Sequence, residues 1–219
     1  PLTLLSIPHT TEIAIVEMGA NHVGEIGFIS NIAKPDMAIL TNIGTAHIEG
    51  FGSKENIIKT KKELFEFVKN NQNEKSHIFV NADDEALREE DFSKKTTYSL
   101  KTNADISAKA CSENGYAQII FKDCVITSNL VGIYNAYNIL AALTIGLHFG
   151  VEIQKIKEAI EDYIPSNNRS QILKTQTNTL ILDCYNANPS SCSSAVEAFA
   201  NMQANRKMVF MGAMKELGE

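Results

Sequence analysis

Short apolar runs alternate along the chain with stretches in which apolar residues recur every three or four positions. EIAIVEM (12–18), DMAILTNI (36–43) and HIFVNA (77–82) read as strands. GEIGFISNIA, the stretch 57–69 and DDEALREE follow them in helical period. Strand then helix, repeated, predicts a mostly parallel sheet with helices on its faces. From 96 to 130 the period changes. TTYSL, ADISAKA, YAQIIF and CVITSN are short, with turn signals such as ENG (113–115) between them, and predict a small antiparallel patch. NAYNILAALTIGLHFG predicts a helix apolar on nearly every side, ended by Gly150. VEIQKIKEAIEDY predicts an amphipathic helix, and Pro165, Ser166 and Asn167 read as a hinge. Beyond it the pattern restarts with QILKT and NTLILDCY as strands. A helix capped by Ser190 or Ser191 then runs to about Met202, before the strand-like KMVFMG. A domain boundary falls near 165, dividing the chain into 1–165 and 166–219.

One helix carries an anomaly. At about 100° per residue, Ile57, Ile58, Leu64, Phe65 and Val68 share a face. Lys61 sits in the middle of that face, while Lys59 and Lys62 point toward the opposite side. Two readings are open. The stem packs while the ammonium reaches water, or the amine is chemically altered in place. A partly desolvated amine has a lowered pKa. Its neutral form can add carbon dioxide to give a carbamate, whose hard oxygens suit magnesium. The pattern alone does not choose.

Composition narrows the class. The 219 residues are 44% hydrophobic and 21% charged with a net charge of −6, which describes a globular chain without the basic stripes of a nucleic-acid surface. The longest apolar run, Ile139 to Leu147, is too short to span a bilayer and is broken by Thr144 and Gly146. No signal peptide is evident. The four cysteines form no CxxC pair, so free thiols in a reducing, cytoplasmic compartment are expected rather than zinc. The chain opens at Pro1 and stops at ELGE, and reads as a piece of something longer.

The remaining candidates lie beyond strands or at helix starts. Glu17 ends IAIVE, and His47 follows the next strand in TNIGTAHIEGFGS. In a parallel sheet both would lie at the carboxyl edge, where ligands bind, and could converge on one cation. Asn135 and Asn138, three apart at the start of a helix, could cap it or read the edge of a base. Arg169 is a surface arginine or a phosphate clamp. Asp183, Asn186 and Asn188 directly follow a strand, a placement equally suited to a plain turn.

EMGANHVGEI, LTNIGTAHIEGFGS, the KxELF of Lys61 to Phe65, VNADD, GxYNxxN followed by LAAL, and DCYNANPSS with MGAMKELGE occur in one order. In that order the chain resembles the Mur ligases over essentially its whole length. YNANP with GAMKELGE resembles the branch that adds D-Ala-D-Ala to UDP-MurNAc-tripeptide, rather than the branch adding meso-diaminopimelate or lysine, or the folylpolyglutamate synthases. The resemblance implies a phosphate-loop-NTPase-like central domain followed by the start of a Rossmann-like ligase domain. It implies ATP-dependent amide-bond formation in peptidoglycan precursor synthesis, through an acyl phosphate. Lys61 then matches a carbamylated lysine, with Glu17 and His47 as its fellow magnesium ligands. Asn135 and Asn138 match residues around the adenine, and Arg169 and Asp183 contacts to ATP. Asn186 and Asn188 stand near the dipeptide, and Asn21 and His22 near the UDP-substrate's peptide.

The phosphate loop GxxxxGK[ST] that the family needs is absent from these residues. The piece is therefore expected not to turn over ATP alone, and to expose an edge that can pair with a copy of itself; the complete enzyme is expected to be a monomer. A folate- or cyanophycin-type ligase, or a non-catalytic nucleotide-binding module, are the alternatives.

Overall fold

The structure, a computed structural model, describes residues 2–44, 48–185, 187, 189–212 and 214. They fall into two compact units, Pro1–Thr96 and Thr97–Glu219. No helix among the described residues is long and apolar enough to cross a membrane. All four cysteines are free thiols.

The first unit contains α1 (Leu2–Leu5), α2 (Glu25–Ala33), β1 (Met37–Leu40), α3 (Ile48–Phe51), α4 (Lys54–Asn70), β2 (His77–Asn81) and the opening of β3 (Lys95–Ser99). β1 and β2 are parallel, with Met37 opposite His77 and Leu40 opposite Val80. α2 stops where Lys34 turns left-handed and donates its N–H to Ser30 O at 2.7 Å; Pro35 prevents continuation. α4 starts at Ser53, whose hydroxyl accepts the Asn56 N–H at 3.2 Å. That cap fixes the helix phase, and Ile57, Phe65 and Val68 are buried with Ala38, Ile78, Val80, Leu87 and Phe92 in one core. Burying a side chain such as Phe65 stabilises by about 2 kcal/mol.

Two expectations fail in this unit. Residues 12–18 form no strand, and Ile13 and Ile15 are exposed. Among the described residues this stretch has no ladder partner, and a strand without a neighbour has nowhere to put its N–H and C=O groups. DDEALREE forms turns rather than a helix. Asp84 explains it: its carboxylate accepts N–H bonds from Ile43 at 2.8 Å and Ala86 at 3.0 Å. Such side-chain bonds compete with helix formation. The turns are pinned by Glu90, which is 5% exposed and pairs with Lys62 and Lys69 of α4, each at 2.6 Å. Lys62 is thus drawn sideways to Glu90 instead of away into solvent.

In the second unit the end of β3 pairs in parallel with β4 (Ile106–Ser107), Tyr98 opposite Ile106. TTYSL therefore belongs to a parallel pairing, not to the antiparallel patch expected from 96 onward. β5 (Lys109–Glu113), β6 (Tyr116–Phe121) and β7 (Cys124–Val131) do form that antiparallel sheet. A 3-10 turn (Ile133–Asn135) leads into α5 (Ala136–His148), whose buried Leu140 and Leu143 pack in a helix lying on β6 and on α6 (Ile153–Asp162). α6 also covers the free edge of β7: Glu161 accepts the Thr127 N–H at 3.0 Å, and Asn129 donates to Glu161 O at 2.6 Å. β8 (Gln171–Lys174) and β9 (Thr179–Leu182) pair as a hairpin. α7 (Pro189–Asn201) begins at Pro189 rather than after a Ser190 or Ser191 cap, because proline's fixed φ suits a first helical turn. KMVFMG is not a strand, and Phe210 is 89% exposed; here too no ladder partner is present among the described residues.

Burial alone would raise the Glu90 pKa, but the hydrogen bonds from Lys62 and Lys69 outweigh it and hold the carboxyl below the usual glutamate range. Its stabilisation is therefore complete at neutral pH and is lost as pH falls through the depressed value. Glu90→Ala is expected to cost about 3 kcal/mol at neutral pH. In chemical denaturation the gap between wild type and variant should narrow as pH drops below the glutamate range.

Candidate functional site

The phase of α4 turns Lys61 inward. Its ammonium donates to the carbonyl oxygens of Ile43 and, at 3.4 Å, Asn42, just beyond the carboxyl end of β1. Loss of water on burial pushes the amine's pKa down, and the nearby Asp84 carboxylate pulls it partly back. Asn81 closes the same edge by donating to Thr41 O at 2.9 Å. The site is therefore a half-desolvated amine at a sheet's carboxyl edge, steered by an Asp that two backbone N–H groups hold in place.

Glu17 lies exposed in the irregular stretch before α2. His47 lies outside the described residues. Described residues a few positions beyond each of them nonetheless meet. A Cβ on Gly50 of α3 would come within 2.4 Å of the Asn21 carbonyl oxygen, so the chain after Glu17 runs directly against the helix that begins after His47. Among the described residues no three His, Cys, Asp or Glu side chains gather to hold a metal. As an ammonium, Lys61 repels a cation; the donor chemistry suits magnesium only if that amine becomes a carbamate.

Asn21 and His22 are exposed, and their backbone N–H groups donate to Glu25 Oε2 at 2.7 and 3.1 Å. Those bonds, with a further one from the His22 ring, hold the Glu25 carboxyl below its usual range. Glu63, two residues along α4 from Lys61, accepts the Gly27 N–H at 2.8 Å and secures the start of α2.

The second unit holds a cavity of about 300 Å³ lined by Tyr134, Asn135, Arg169, Ser170, Asp183 and Tyr185. Three of the four residues expected near a nucleotide, Asn135, Arg169 and Asp183, thus line one space. The fourth, Asn138, is exposed and donates to Asn135 Oδ1 at 2.9 Å. Asn135 is buried, donates to Val131 O at 2.8 Å and makes no side-chain helix cap. Arg169 lies over the Tyr185 ring, 4.1 Å from its centroid. Asp183 Oδ1 accepts the Ser170 N–H at 3.0 Å. A guanidinium and a carboxylate in one cavity can meet a phosphate and a hydroxyl-bearing sugar respectively. Asn186 and Asn188 lie outside the described residues.

Tyr134, Ser170 and Tyr185 escaped the sequence reading. Both tyrosines stand inside the motifs GIYN and DCYN, but a tyrosine beside an asparagine is no signal by itself. Gly132 was the available clue. Its φ is +93°, and a Cβ there would lie 2.2 Å from the Tyr134 ring, so the glycine makes room for that ring.

The Mur ligase middle domain matches residues 1–146, and the Mur ligase glutamate ligase domain matches residues 168–219. The UDP-N-acetylmuramoyl-tripeptide–D-alanyl-D-alanine ligase of Bacillus subtilis is 31% identical, over 100% of this chain and 48% of its own length. A crystal structure of MurF from Acinetobacter baumannii superposes with a TM-score of 0.78 at 25% identity, over 92% of this chain and 45% of that one. MurF from Thermotoga maritima in complex with ADP gives 0.71 at 26% identity, over 91% and 47%. The chain spans about half the length of the relatives it matches.

Gly50→Ala should destabilise the first unit by about 1–3 kcal/mol, because the new methyl meets a backbone oxygen. A helical glycine with open space where its Cβ would stand would show the opposite sign, so denaturation of this variant reads the closeness of Gly50 to the Asn21 carbonyl directly. In protein labelled with ¹³C at lysine Cε, the resonance lost in Lys61→Arg should titrate below the ordinary lysine value of about 10.4. A midpoint at or above that value would contradict the desolvation of the amine.

Proposed function

This chain belongs to the Mur ligase family, and from that premise we propose that it forms the middle-domain and ligase-domain portion of an ATP-dependent amide ligase that joins D-Ala-D-Ala to UDP-MurNAc-tripeptide. The observation that carries this reading is the similarity over the whole chain to relatives of that name. In this reading the boundary between the two portions lies near 165, and the gap between the matched stretches supports it.

The chemistry runs in two transfers. The tripeptide's terminal carboxylate oxygen attacks the γ-phosphorus of ATP, ADP leaves, and an acyl phosphate forms. The dipeptide's amine nitrogen then attacks the acyl carbon. The amide bond forms, the carbon–oxygen bond to phosphate breaks, and the amine gives up its proton. Magnesium, held by Glu17, His47 and a carbamylated Lys61, would supply positive charge to the phosphoryl oxygens. The lowered pKa of Lys61 favours the neutral amine that carbamylation requires. Arg169 faces the nucleotide's phosphates and Asp183 its ribose, with Asn135 and Asn138 toward the base. Asn186 and Asn188 lie toward the dipeptide, and Asn21 and His22 toward the peptide of the UDP-substrate.

No GxxxxGK[ST] loop occurs in the 219 residues, and without its amides and lysine the ATP phosphates lose their cradle. The complete ligase should release phosphate from ATP only when both UDP-MurNAc-tripeptide and D-Ala-D-Ala are present, and the 219-residue chain alone should release none. Lys61→Ala in the complete ligase should lower the rate roughly a hundredfold or more, the scale on which removal of one transition-state electrostatic group acts. Release that ignores the dipeptide, or turnover by the isolated chain, would refute the corresponding part of the assignment.

A further inference from the structure

Tyr134 and Ser170, 36 residues apart, join their hydroxyls at 3.1 Å. Tyr134 stands at the entry to α5, and Ser170 directly precedes β8. We propose that Tyr134 is a positioning residue of the nucleotide site, acting through Ser170 to fix where Arg169 and Asp183 stand. The proposal rests on the cavity being the ATP site.

The backbone around Arg169 supplies the reason. Asn168 and Ser170 both adopt positive φ, +58° and +50°, on either side of Arg169. Asparagine visits that region readily, but serine has no such preference and must be held there. Ser170 is 5% exposed and is held by two bonds. Its hydroxyl meets Tyr134, and its N–H donates to Asp183 Oδ1. The double reversal places the Arg169 guanidinium over the Tyr185 ring. The same Ser170 conformation brings its N–H to the Asp183 carboxylate. Releasing Ser170 would therefore displace a cationic and an anionic group of the cavity together.

Tyr134 is well placed as the anchor. Its ring lies over Gly132, where any Cβ would collide with it. The ring also walls a second, more apolar cavity with Leu100, Ala110, Ile133 and Tyr137. Removing the hydroxyl alone leaves this packing intact. Burial pushes the phenol's pKa up against the opposing hydrogen bonds of Ser170 and Asn135, with the Asp183 charge adding to the rise, so the hydroxyl keeps its proton through the neutral range.

The test measures ADP binding to the complete ligase by calorimetry. Tyr134→Phe and Ser170→Ala should each weaken ADP about five- to tenfold, the loss expected of one hydrogen bond, with both variants still folded at the temperature of the measurement. Ser170→Gly added to Tyr134→Phe should restore most of the affinity, because glycine takes the left-handed turn unaided. A merely structural tyrosine would not be rescued in that way. Wild-type affinity in Tyr134→Phe, or no recovery with glycine, overturns the proposal. Failure of the wild type to bind ADP overturns the reading of the cavity as a nucleotide site, and the proposal with it.

Discussion

The ammonium of Lys61 donates to two carbonyl oxygens at the carboxyl end of β1, and the first unit is arranged around making that possible. A long amine can be drawn out of water only if its helix cannot rotate. Ser53 fixes the first turn of α4, and the buried face of Ile57, Phe65 and Val68 fixes its rotation. The ion pairs of Lys62 and Lys69 with Glu90 hold it from the side. Three neighbouring lysines on one helix thus have three fates: Lys59 stays exposed, Lys62 pairs with Glu90, and Lys61 is turned inward. Burial of that inward amine pushes its pKa down.

The same helix governs a second element. Glu63 reaches the N–H of Gly27 in the first turn of α2, where the positive end of the helix dipole favours a carboxylate. Glu25 gathers the N–H groups of Asn21 and His22 just before it. Between them these carboxylates hold the chain from Asn21 into α2, although Asn21 and His22 lie in no regular element. Gly50, without a Cβ, allows the Asn21 carbonyl to come close.

The second unit reaches a comparable result by a different device. Its cavity takes residues from the start of α5 and from both sides of the β8–β9 hairpin. Positive φ at Asn168 and Ser170 bends the chain so that Arg169 and Asp183 line that cavity together. Strain of this kind persists only where neighbours over-determine it, and the Tyr134 and Asp183 bonds do so for Ser170.

Much of this is written locally. The inward Lys61 follows from a 3.6-residue period, and the hairpin at 113–115 from Asn and Gly. The candidates Asn135, Arg169 and Asp183 sit in motifs that can be read along the chain. Helical order is local because each N–H finds its carbonyl four residues back. Strand order is not, which is why 12–18 and 207–212 have strand composition but no strand. The turns at 83–90 were hidden for a related reason: Asp84 chose partners at Ile43 and Ala86, and nothing in its own neighbourhood announces the first. The link from Tyr134 to Ser170 likewise exists only once 36 intervening residues have folded back. The sequence by itself determined which residues carry charge, amide and hydroxyl, and on which helix face they begin. Which of them lose water, and which meet, was left to the tertiary structure, because desolvation and hydrogen bonding depend on neighbours that are distant along the chain.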